Sequence, residues 1–145
     1  MKSTLVVVAL LTFAAPAAAF AEWETLDADE IVEACWSTAQ DDIDSGVTSR
    51  MQRGIAVAAQ CLRTRIMEHT TPLFATTGYT AKQQLADLDR ITQSTGTFYT
   101  HLYAQNRACA PTCGTLARIE AGAQVPDVLE RVLRDVVETR NQYRM

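Results

Sequence analysis

The feature that most constrains the fold of this chain is its last apolar stripe. Val125, Val128, Leu129, Val132, Leu133, Val136 and Val137 recur at steps of three and four over thirteen positions. That spacing paints one face of an α-helix and matches no strand, whose period is two. A helix of this kind must bury the stripe against other helices. The same period recurs upstream, and no alternating strand pattern of useful length or internal repeat interrupts it.

Asp27-Ala28-Asp29-Glu30 offers polar N-cap candidates and first-turn acids, and predicts a first helix from about Asp27 to about Asp42 with Ile31, Ala34, Cys35 and Thr38 on its inner face. Asp44-Ser45-Gly46 ends it. Thr48 or Ser49 caps a second helix striped by Met51, Ile55, Ala58, Leu62 and Ile66, which Thr70-Thr71-Pro72 should stop. Leu73 and Phe74 then sit in a loop that tucks them back onto the core. Thr80-Ala81-Lys82-Gln83 has the form of a capping box and opens a third helix. Its apolar positions are Leu85, Leu88, Ile91, Phe98 and Leu102, with a bend expected near Gly96. A turn over Cys109 to Gly114 leads to a short helix over Leu116 to Ala121 stopped by Gly122, and Pro126 suits the first turn of the last helix. The expected fold is all-α, a small disulfide-linked bundle of four main helices.

The N-terminus sets the compartment. Met1-Lys2 precedes an apolar run from Leu5 to Ala15, Pro16 breaks it, and Ala19-Phe20-Ala21 matches the small-residue pattern of signal-peptidase cleavage. The run is well short of the ~20 residues a membrane span requires. Residues 1–21 therefore read as a cleaved signal peptide and 22–145 as one domain, periplasmic or secreted, with no membrane span after cleavage. Removing Lys2 from the 13 basic side chains leaves 12 against 17 acidic ones, a formal charge of −5. This mild acidity argues against nucleic acid and anionic membranes as partners. Arg50, Arg53, Arg63 and Arg65 fall close together, but at helical spacing they read as a solvated flank.

Cys35, Cys61, Cys109 and Cys113 all lie in the exported part, and an even count in an oxidising compartment reads as two disulfides. Four cysteines allow three connectivities. Proximity along the chain favours Cys35 with Cys61 and Cys109 with Cys113. A redox pair would call for C-x-x-C in a strand-helix setting, and a metal site on Cys109, Cys113 and His101 lacks further ligands. No metal and no cofactor is expected. His69 at a helix end and His101 among aromatic residues read as structural, and Asp41-Asp42-x-Asp44 and Asp87-x-Asp89 as solvated faces. With no serine elbow, zinc-protease motif or phosphate-cradling loop, no enzyme is expected.

The segment Phe98-Tyr99-x-His101-x-Tyr103-x-x-x-Arg107-x-Cys109 remains. Its helical spacing aligns Tyr99, Tyr103 and Arg107 on one face, a composition enriched where proteins bind partners. This segment, followed by Glu120, Gly122 and a last helix ending near Arg140, resembles the exported lysozyme-inhibitor-like family of LprI type. Cys35 with Gly54-Ile55-Ala56-Val57-Ala58-Ala59-Gln60-Cys61 is similar to the family's N-terminal cysteine-helix-cysteine part. The chain departs from the family pattern where a tryptophan is usual at Phe98 or Tyr99. It also carries Cys113 close after Cys109 in place of a cysteine opening the last helix. The resemblance implies an exported binding protein of the cell envelope that inhibits a lysozyme-like peptidoglycan hydrolase. A structural or stress-related periplasmic protein is the alternative, and a redox or metal-handling protein using Cys109 and Cys113 comes third.

Overall fold

The computed structural model describes residues 24–104 and 114–143, and among them every regular element is helical: α1 (Ala28–Ser37), α2 (Gln40–Ile43), α3 (Thr48–Leu73), α4 (Ala81–Ala104) and α5 (Gly114–Gln142). Residues 1–21, on which the expected signal peptide falls, and Arg107, Cys109 and Cys113 lie outside the described residues. Helix α5 is the hub, packing along both α3 and α4, which touch each other little. Gly122 meets Ile55 and Arg140 meets His69, so α3 and α5 run parallel. Thr70 meets Gln84 and Arg63 meets Asp89, which makes α4 antiparallel to α3. Helix α1 lies antiparallel to α5, held by Leu26 with Asn141 at one end and Trp36 with Glu130 at the other.

The core is the meeting of Val32 and Cys35 from α1, Leu62 and Ile66 from α3, Leu88 from α4, and Leu129, Leu133 and Val137 from α5. The α5 stripe thus docks as its periodicity demands, centred on Leu129, Leu133 and Val137, with Val125, Val132 and Val136 half-buried at its margins. Cys35 and Cys61 form the expected disulfide, with Cα atoms 5.4 Å apart. Cys35 is fully buried, so the bridge pins α1 to α3 at the level of the core.

Four local expectations are corrected. The first helix breaks after Ser37 and resumes as one turn, α2, because Ala39 turns inward to be buried while α2 packs onto the start of α3. Its inner face is Val32, Cys35 and Ala39; Ala34 is exposed. Helix α3 continues through Pro72 to Leu73, where the Thr70 carbonyl still accepts from Phe74 N–H at 3.0 Å. Proline removes one donor and one carbonyl contact there, a loss an exposed last turn can tolerate. The separate short helix before Gly122 does not exist: α5 runs unbroken through Gly122 and Pro126. Pro126 is fully buried and Gly122 packs on α3, so tertiary packing outweighs both breakers. Finally, α4 is one continuous helix through Gly96, and of Leu85, Leu88, Ile91, Phe98 and Leu102 only Leu88 is buried.

The capping box holds as read. Thr80 Oγ1 accepts from Gln83 N–H at 3.3 Å, and Gln83 Oε1 accepts from Thr80 N–H at 2.9 Å. Asp27 caps α1, its carboxylate accepting from the N–H groups of Asp29 and Glu30.

Candidate functional site

Helix α4 begins as a core helix and ends as a surface one. Near its start the buried Gln84 donates to Tyr79 O at 2.8 Å and accepts from the Thr70 hydroxyl at 2.8 Å, while Leu88 enters the core. Further along, the amphipathic pattern has no partner on one side among the described residues. Ile91 (37 % exposed), Phe98 (61 %) and Leu102 (50 %) follow one another along one edge of the helix at steps of seven and four. That edge is a displayed apolar strip.

Tyr99 and Tyr103, the two described members of the proposed tyrosine-arginine face, lie beside this strip and are half-buried. Their ring centroids are 5.9 Å apart, and Phe98 meets Tyr99 edge-on at 5.3 Å. The three rings form a continuous ladder along one and a half turns, a geometry that adds attraction beyond buried area. The structure brings Tyr99 and Tyr103 together as expected; Arg107 lies outside the described residues. The helical period counts Phe98 and Leu102 with Leu88 on one apolar face, whereas they are the most exposed large apolar side chains on α4.

The charged groups are mostly paired with one another. Arg50 and Arg53 both donate to Asp42, and these hydrogen bonds hold the Asp42 carboxyl well below the usual carboxylate range. Arg65 pairs with Glu68 and Arg63 with Asp89, so the four arginines form no open basic patch. Trp36 Nε1 donates to Glu130 at 2.5 Å, and Arg134 reaches Asp29. At the far end, Arg140 Nη1 donates to His69 Nδ1 at 2.7 Å. Burial, then the Arg140 charge, lowers the His69 pKa. Because a guanidinium can only donate, Nδ1 is the acceptor in this contact, and the neutral ring that makes it carries its proton on Nε2. His101 is exposed on α4.

Among the described residues no group of three or more His, Cys, Asp or Glu is placed to hold a metal ion. No described helix is long and apolar enough to cross a membrane. A second feature had little sequence signal: an apolar cleft of about 350 Å³ between the first half of α3 and the first half of α5. The small Ala56 and Ala59 on α3 and Gly122 on α5 leave that space unfilled. Comparison with protein-family models, with curated proteins and with solved structures found no match.

Proposed function

We propose that this chain is an exported, non-catalytic binding protein of the cell envelope that engages a protein partner through the outer edge of α4. The observation that carries this reading is Phe98, 61 % exposed at the head of a ring ladder and flanked by the half-exposed Leu102. Aromatic rings held by their neighbours offer large contact area with little rotamer freedom left to lose on binding. The first partner to test is a lysozyme-like peptidoglycan hydrolase. The family resemblance points there, and the net acidity of the exported part favours approach to a basic protein.

The test is titration of the oxidised protein against several lysozymes and peptidoglycan hydrolases, beside a Phe98→Ser, Leu102→Ser double variant and a Tyr103→Ala variant. Both sites lie outside the core cluster, so thermal melting should change little. Binding should weaken at least tenfold in the double variant. Absence of binding by the wild type to every hydrolase rejects that partner class. Equal binding by a well-folded double variant rejects the surface.

A further inference from the structure

We infer that the cleft between α3 and α5 is a binding site for a single-chain fatty acid, separate from the α4 edge. The cleft measures about 350 Å³, near the lower end of the ~300–1,000 Å³ range for small-molecule sites, which suits one chain and a small head rather than a two-chain lipid. Its walls are aliphatic. Ile55, Ala56 and Ala59 line it from α3, and Gly122, Val125 and Leu129 from α5. Gly122 contributes no side chain to the cleft, and a Cβ there would stand 3.8 Å from Ile55 Cγ2, so the glycine leaves this part of the wall bare.

The polar part of the lining selects the head group. It holds two arginines, Arg63 and Arg118, and no carboxylate. Arg118 makes no ion pair among the described residues and is exposed. Arg63 uses one Nη group on Asp89, yet its Nε–H is buried with no hydrogen-bond partner. A guanidinium is shaped to grip a carboxylate. Gln52, Gln60 and Thr92 complete the rim with neutral hydrogen-bonding groups. An aliphatic chain against the alanine and valine walls, with its carboxylate at the arginines, satisfies both parts of the lining.

Dodecanoate is the probe, titrated calorimetrically into the purified protein below its micellar concentration. Dodecanol and dodecyltrimethylammonium serve as neutral and cationic comparisons with the same chain. Dodecanoate should bind at one site, and at least tenfold more tightly than either. Arg118→Ala should weaken it about tenfold. Ala56→Phe, at an exposed position facing the cleft, should abolish it while the melting temperature stays near that of the wild type. Amide shifts in the wild type should concentrate at Ala56, Ala59 and Gly122, a readout that needs no variant. Failure of dodecanoate to saturate, equal binding of the alcohol or the cation, or shifts centred on other helices would each overturn the site. Loss of binding in the Phe98→Ser, Leu102→Ser variant would also overturn its independence from the α4 surface.

Discussion

At the scale of single residues, the sequence announces side chains whose role is local and conceals those whose role depends on a distant partner. Asp27, Thr80 and Gln83 act within four positions of themselves, so their caps could be read directly. His69 could not: its setting comes from Arg140, 71 positions away. With Nδ1 accepting from a guanidinium, a proton on that nitrogen would put two cations in contact inside a half-buried site. Burial and the Arg140 and Arg65 charges lower the pKa, and Glu68 only partly opposes them. The sign of the pH effect follows. Below the ordinary histidine pKa of about 6.5 the unfolded chain takes up a proton that the folded chain resists, so stability falls as pH drops from there through the lower folded value. Above about pH 7 this residue contributes no slope. The Asp42 carboxyl, held low by Arg53 and Arg50, adds its own loss only below the ordinary aspartate range. Melting temperatures measured from pH 7.5 to pH 4.5 should decline for the wild type and much less for His69→Gln, whose amide oxygen can accept from Arg140 without titrating. Parallel curves for the two proteins would show that His69 has no such role.

At the scale of elements, periodicity located all four main helices but misjudged where they end, because glycine and proline act as breakers only where packing lets them. Gly122 and Pro126 sit inside α5 pressed against α3 and the core, and Pro72 lies within the last turn of α3. The apolar count of α4 likewise predicted a buried face, while among the described residues only Leu88 of that face is buried and the edge carrying Ile91, Phe98 and Leu102 stays exposed. Gly54 shows the same dependence with the opposite consequence. Read alone, a glycine in a helix is merely about 1 kcal/mol worse than alanine. Here a Cβ at residue 54 would stand 2.8 Å from Ile43 Cγ1 and 3.0 Å from the Ala39 carbonyl oxygen, so the missing side chain is what lets α2 lie on α3. Gly54→Ala should therefore destabilise the fold by about 1–3 kcal/mol, the usual range for overpacking. Gly96→Ala should act in reverse. A Cβ there would meet Val125 Cγ2 at an ordinary 3.7 Å, so helix propensity should raise stability by about 0.5–1 kcal/mol. Chemical denaturation of the two variants checks the pair, and a destabilisation by alanine at position 96 equal to that at 54 would refute this account of α2 docking.

At the scale of the whole molecule, the architecture is a hub helix with three helices laid along it, and α1 is the least self-sufficient of the main four. It has ten residues, of which Val32 and Cys35 are buried, and few isolated helices of that length are stable in water. Its position rests on Trp36 with Glu130, Leu26 with Asn141, Arg134 with Asp29, and the bridge from Cys35 to Cys61. The ion pair is solvent-facing and so contributes little. The covalent link is a different matter. The half-cystines are 26 positions apart, and closing a loop of that size in the unfolded chain corresponds to about 3–4 kcal/mol on a chain-entropy view. That is a large share of the ~5–15 kcal/mol that holds an ordinary domain together. Replacing both cysteines, Cys35→Ser with Cys61→Ser, should therefore lower unfolding free energy by about 2–4 kcal/mol. Hydrogen exchange should rise first in α1, while α3 and α5 keep each other protected through Leu62, Ile66, Leu129 and Leu133. Uniform loss of protection across α1, α3 and α5 in the double variant would instead mean that the bundle opens as one unit and that α1 is no separately detachable layer.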